Sequence, residues 1–209
     1  MERNEKWRTD QIAKRKIRRK VFFERLPRRT MTPCFDINLS PTERLTFEIM
    51  DDKNYLAVFE MFENDTNPFV LADYKDLEMW EDYADYQLYW NRMSCKYAGC
   101  DWLMKLKTTG QTVGILNLYE LSRETYNDKH KKCMIGYSIA ASFRRQHYAT
   151  EAVKQLIIHA FEHFNLHTII ANTEKNNLVS KVLLANLGFV DKTEAYYFDK
   201  EYDYFELYK

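Results

Sequence analysis

The chain has 209 residues, 45% apolar and 15% aromatic, and its 31 Lys/Arg are balanced by 31 Asp/Glu for a net charge of zero. That composition excludes an intrinsically disordered chain and suits one domain with a sizeable core. No run of eighteen apolar residues occurs and the charged N-terminus lacks the apolar stretch of a secretory signal, so no membrane span is expected and the chain reads as cytoplasmic.

The balance hides an asymmetry. Residues 1–30 hold twelve Lys/Arg against four Asp/Glu, which leaves an equal negative excess on the remainder. The segment "TDQIAKRKIRRKVFFERLPRR" reads as a basic helix capped at Thr9 or Asp10 and ended before Pro27. Such a block can contact nucleic acid or an anionic surface, or lie solvated against the acidic remainder. Pro27, Pro33 and Pro41 then mark an extended linker, giving a basic N-terminal extension over 1–41 and a folded domain over 42–209. The four cysteines, Cys34, Cys95, Cys100 and Cys133, form no CxxC pair and read as reduced thiols.

In chain order, "RLTFEIM" (44–50) alternates as a strand does, and "KNYLAVFEMFEN" (53–64) shifts to helical spacing through Tyr55, Val58, Phe59 and Phe62. After Pro68, the spacing of Leu77, Trp80, Tyr83, Ala84, Leu88 and Met93 predicts an amphipathic helix ending near Gly99. Its tyrosines either line a ligand groove or form a half-buried face. Residues 102–121 are two alternating runs around a Gly110 turn, a hairpin signal, and "KCMIGYSIA" (132–140) is the next strand. "YATEAVKQLIIHAFEHF" (148–164) is a helix, "HTIIANT" (167–173) a short buried strand, and "NLVSKVLLANLG" (177–188) a helix stopped by Gly188. Two antiparallel strands around Asp199–Glu201 close the chain. This order predicts an α+β, or mixed α/β, fold with helices on both faces of one mostly antiparallel sheet.

One stretch carries chemistry. In "MIGYSIAASFRRQHYATEA" a strand, a short loop and a helix start follow one another, and the unpaired first N–H groups and dipole of a helix favour an anion there. Arg144 and Arg145 add charge suited to a pyrophosphate. "RRQHYATEA" contains no glycine, which helps such loops where φ is positive; if the loop keeps near-helical dihedrals, other L-residues can serve. "HAFEH" (159–163) puts two histidines on one helical face, but it closes a helix, where the dipole favours His, and shows no third ligand; no metal is assigned.

The segment Arg144-Arg145-Gln146-His147-Tyr148-Ala149 resembles the acetyl-CoA loop Q/R-x-x-G-x-G/A of the GNAT N-acetyltransferases, with His147 at the central glycine. "IGYSIA", "YATEAV" and "NLVSKVLLANLGF" are similar to that family's fourth strand, third helix and N-x-x-S…LGF segment, so the resemblance covers about residues 42–209. It is nearest to the subgroup that includes the ribosomal-protein N-terminal acetyltransferases. The resemblance implies a fold whose fourth and fifth strands splay apart, with the pantetheine arm of acetyl-CoA between them.

It further implies a cofactor site of Ile139, Arg144, Arg145, Gln146, His147, Tyr148, Ala149, Thr150 and Asn177, with strand 134–139 against the thioester. Ser180 takes the place that serves the leaving thiolate, and Tyr137 lines the substrate side. The Tyr acid of other members falls at Leu184 and the frequent strand glutamate at Met134, so both are absent. Glu120 is the substitute base, with an exposed strand-end acid as its ordinary reading. The activity implied is acetyl transfer to a primary amine on a small molecule or a protein N-terminus. A homodimer is a further partner to consider, and His147 and Met134 motivate an alternative, a GNAT-fold acyl-CoA sensor or interaction module without turnover.

Overall fold

The first core strand alternates as its sequence dictates: in β1 (Leu45–Ile49) Leu45 is buried and its neighbours point outward. The structure, a computed structural model, describes residues 38–93, 97–122, 132–164, 166–197 and 200–209, and within them the side chains of 86–93, 97–99, 120–122, 193–197, 200 and 201 are not described. All of these belong to one compact unit, residues 31–209. The basic stretch, Pro27, Pro33, Cys34 and Cys95 lie outside the described residues.

After β1 come α1 (Leu56–Phe62), α2 (Leu77–Met93), β2 (Tyr97–Leu106), β3 (Thr112–Ser122), β4 (Lys132–Ile139), α3 (Tyr148–His163), β5 (Thr168–Glu174), α4 (Leu178–Asn186), β6 (Val190–Tyr197) and β7 (Lys200–Tyr208). The strands form one sheet in the order β1-β2-β3-β4-β5-β7-β6. Every neighbouring pair is antiparallel except β4 and β5. This is the mixed α/β arrangement that the order of elements predicts. One boundary differs: the second helix ends at Met93 rather than near Gly99, and the chain is already extended at Tyr97. Tyr97 and Ala98 pair with Ser122 and Leu121 of β3, so a long-range ladder overrides the local helical spacing.

Helices cover both faces. On one face, Ala152, Val153, Leu156 and Ala160 of α3 and Leu184 of α4 pack on Trp102, Leu116, Leu118 and Ile135. On the other, Val58, Phe59 and Phe62 of α1 and Trp80 and Ala84 of α2 pack on Leu103 and Ile115. Trp102 and Leu103, adjacent in sequence, go to opposite cores because side chains alternate along a strand. Each fully buried large apolar side chain contributes about 1.5–3 kcal/mol relative to exposure. His159, within "HAFEH", is 2% exposed and meets Phe164 edge-on at 5.1 Å, so it is a core side chain. Among the described residues no group of three or more His, Cys, Asp or Glu could hold a metal ion, and no helix is long and apolar enough to cross a membrane.

The feature that positions the site is a fork. β4 pairs with β5 only from Lys132↔Thr168 to Ile135↔Ala171, after which β4 runs on to Ile139 and β5 to Glu174. The free half of β4 is held by β3 alone, through Gly114↔Ile139 to Asn117↔Gly136. Gly114 makes that approach close: a Cβ there would overlap the Ser138 carbonyl oxygen and lie 2.6 Å from Met104 Cε.

Candidate active site

The loop between β4 and α3 passes through a short 3-10 turn, Ala141–Phe143, and an extended Arg144. Arg145 and His147 then take φ of 61° and 63°. The loop does not keep right-handed helical dihedrals: the chain adopts the left-handed region twice without glycine. His is among the residues enriched there, but the conformation costs an L-residue about 1–2 kcal/mol. His147 is the N-cap of α3 and its side chain caps nothing, so the first N–H groups of the helix are not occupied by it.

What holds this loop comes from the edge strand. Arg44, just before β1, donates from Nη1 to the Gln146 carbonyl at 2.9 Å, and its guanidinium lies 4.5 Å from the centre of the Tyr148 ring. Its backbone N–H and Nε donate to Glu151 in the first turn of α3 at 2.9 and 2.7 Å, and the Thr42 hydroxyl donates to the same carboxylate. Burial raises the Glu151 carboxyl, but the hydrogen bonds from Thr42 and Arg44 outweigh it and hold the group below its ordinary 4.5. A depressed acid stabilises the fold above its unfolded pKa, and the contribution is lost as pH falls through the folded value. We therefore expect Glu151→Gln to cost about 1 kcal/mol at neutral pH, the partners being partly exposed. In thermal melts the difference from wild type should narrow as pH falls below about 4; a gap that stays constant well below that pH would contradict the assignment.

Arg144 is not free. Its Nε donates to the Ile139 carbonyl at 3.0 Å, and Nη2 pairs with Asp65, whose side chain is 2% exposed. The guanidinium ties the loop to the segment after α1. Arg145 and His147 are exposed beside it.

These elements enclose a cavity of about 620 Å³ lined by Tyr137, Ile139, Arg144, Arg145, His147, Tyr148, Ala149, Thr150, Asn177 and Ser180. The fold thus brings ten of the residues singled out in the sequence to one place. Asn67, Phe69 and Val70 form a wall that the sequence did not announce, as do Val179, Val182, Leu183 and Asn186 of α4. Asn177 caps α4, its Oδ1 accepting the Ser180 N–H at 3.2 Å. That cap presents the Ser180 hydroxyl to β4, where Tyr137 Oη and Ser180 Oγ are 2.8 Å apart. Burial, opposed by the Ser180 hydrogen bond, pushes the Tyr137 phenol up to about 12.

One of the sequence's site residues stands apart, and another has no described side chain. Gln146 does not line the cavity; its amide turns back to donate to the Ser142 carbonyl at 3.3 Å. Glu120 falls near the end of β3, and its side chain lies outside the described residues. Leu184 is fully buried in the core and Met134 Sδ lies 3.9 Å from Asn172 Nδ2. Arg44 and Asp65 carried no sequence signal, because their partners are remote in the chain.

Comparison with known proteins places this architecture. The chain is 26% identical over 154 residues to the uncharacterized N-acetyltransferase YoaA of Bacillus subtilis (strain 168), an alignment covering 71% of this chain and 80% of that protein. Its fold superposes on Mycobacterium smegmatis RimJ in complex with CoA-disulfide with a TM-score of 0.66 at 18% identity, covering 81% of this chain and 86% of the other. It superposes on the ribosomal-protein-S5-alanine acetyltransferase of Vibrio fischeri with a TM-score of 0.64 at 19% identity, covering 81% and 95%. Residues 44–190 match the family model described as the acetyltransferase (GNAT) domain. The chain belongs to the GNAT acetyltransferase family, and acetyl transfer is its general chemistry.

Proposed function

We propose that this protein is an acetyl-CoA-dependent N-acetyltransferase of a primary amine, carried by a small molecule or a protein N-terminus. The observation that carries the reading is one cavity in which an anion-suited helix start and a paired hydroxyl couple lie together. The N–H groups that open α3, with Arg145 beside them, hold the pyrophosphate. Arg144 acts as an anchor of the loop, since Asp65 and the Ile139 carbonyl occupy its guanidinium. The half of β4 beyond Ile135 offers peptide groups without a β5 partner to the pantetheine. A cytoplasmic location goes with this reading.

Acetyl transfer needs a neutral amine, stabilisation of the oxyanion and a donor for the departing sulfur. As the amine nitrogen bonds to the carbonyl carbon and the C–S bond breaks, the electron pair stays on sulfur. The Ser180 hydroxyl, held by the Tyr137 phenol, donates to that thiolate, and the amine's proton passes to solvent. Ser180→Ala is expected to lower kcat roughly 100-fold with little change in the KM for acetyl-CoA. Tyr137→Phe should cost kcat nearly as much, and equally from pH 6 to 9, because the phenol stays protonated across that range. A loss confined to KM in both variants would remove the hydroxyl pair from the chemistry.

The neighbour named for the alanine of a ribosomal protein supports a protein N-terminus as one acceptor class. The reading is tested by following thiol release from acetyl-CoA across a panel of amines and N-terminal peptides. Release with at least one acceptor is the expected result; acetyl-CoA binding without release from any would support a sensor instead.

A further inference from the structure

The segment between α1 and α2 is shaped by a series of local hydrogen bonds. The Asp65 N–H donates to the Phe62 carbonyl at 2.9 Å, Asp65 Oδ1 accepts the Asn67 N–H at 2.9 Å, and Asn67 Oδ1 accepts the Phe69 N–H at 3.0 Å. The last two are successive Asx turns, the bonds Asp and Asn make to backbone two residues on. Lys75 Nζ donates to the Asn67 carbonyl at 2.6 Å, and Val70 sinks into the core beneath α1 and α2. The result is a fixed wall: Asn67, Phe69 and Val70 line the same cavity as the free half of β4.

One oxygen of Asp65 serves this wall. The other, Oδ2, accepts from Arg144 Nη2, 79 residues away in the chain. The Asp65 side chain is almost wholly buried, and a buried carboxylate requires a paired cation. The cation it takes is the first arginine of the loop that faces the cavity.

Three arginines surround that loop. Arg44 pairs with Glu151 and Arg144 with Asp65, while Arg145 lines the cavity with no acid partner among the described residues. Two of the three charges are therefore matched before any ligand arrives. An incoming diphosphate meets the helix start and Arg145 in full, but an Arg144 whose Nε is on the Ile139 carbonyl and whose charge is offset by Asp65.

We propose that Asp65 is a positioning residue that holds Arg144 on the wall and withholds its charge from the diphosphate, so that the loop grips CoA loosely enough to release it after transfer. The inference rests on the acetyltransferase reading above. It carries a sign that a purely structural role does not. Asp65→Asn removes the charge and keeps Oδ1 as acceptor for the Asn67 N–H, so the wall stays shaped while Arg144 is freed toward the diphosphate. Binding then tightens, and since changes at one interface act mostly on dissociation, CoA leaves more slowly. A residue that only shaped the wall would weaken binding when changed. Arg144→Gln has the opposite effect on charge, because it leaves an unpaired carboxylate beside the diphosphate. The double variant is balanced again.

The test titrates wild type, both single variants and the double variant calorimetrically with acetyl-CoA and with inorganic pyrophosphate, and follows CoA dissociation by stopped-flow displacement. Asp65→Asn should bind both probes about tenfold more tightly than wild type and release CoA about tenfold more slowly. Arg144→Gln should bind them about tenfold more weakly, and the double variant should return to within about threefold of wild type. If Arg144→Gln alone does not fold, the same tenfold gap between Asp65→Asn and the double variant decides. Asp65→Asn that binds no more tightly than wild type overturns the proposal. So does a double variant as weak as Arg144→Gln, the mark of an arginine already on the diphosphate in wild type. Failure of wild type to bind acetyl-CoA would instead overturn the acetyltransferase reading, and the pyrophosphate titrations would then judge Asp65 by the same criteria.

Discussion

Gly114→Ala is expected to lower the melting temperature by roughly 4–8 °C, from an overpacking cost of about 2 kcal/mol in a domain of this size. The added Cβ meets the Ser138 carbonyl oxygen and Ile139 Cδ1 at 2.9 Å, and the first of these is backbone that cannot rotate away. β4 must therefore move off β3 in the half where β3 is its only strand partner. Because Ile139 accepts from Arg144 and the loop follows directly, the same shift should weaken acetyl-CoA by about tenfold. A variant with unchanged melting and affinity would mean that β3 does not position the free half of β4.

His147 gives the second large effect, and the sign depends on the replacement. At φ 63° a β-branched side chain is a genuine outlier, so His147→Val should either strain the loop or flip it. The expected result is acetyl-CoA binding weakened more than about tenfold, with a loss of about 2 kcal/mol in stability. His147→Gly removes the left-handed penalty, offset in part by a freer unfolded chain, and should leave stability unchanged or raised by up to about 1 kcal/mol. Its affinity should stay near that of wild type. If glycine weakened binding as much as valine, the imidazole would be a ligand contact and not a backbone compromise.

That residue also shows where sequence reading stops. The order of strands and helices was legible because each element carries its own period, two or 3.6, and both cores follow from it. A left-handed loop without glycine leaves no such trace, since the residue types at 144–147 are equally at home in a helical turn. Arg44 and Glu151 are 107 residues apart in the chain, and only the sheet edge and α3 bring them together. The cavity residues were legible through their family pattern, whereas Asn67, Phe69 and Val70 arrive from a segment after α1 without motif. Asp101 and Asn117 did leave a signal: each is a polar residue in an otherwise apolar, inward-facing run of β2 or β3.

The helix start and loop at 144–150 are the proposed pyrophosphate site, and one comparison of ligands tests it most directly. Wild-type protein is titrated calorimetrically with acetyl-CoA and with S-acetylpantetheine, which carries the same thioester and arm without the nucleotide diphosphate. Acetyl-CoA should bind with a Kd in the micromolar range and S-acetylpantetheine about 100-fold or more weaker, the difference of two or three charge-assisted hydrogen bonds. Equal affinity for the two, or no binding of acetyl-CoA, would contradict it.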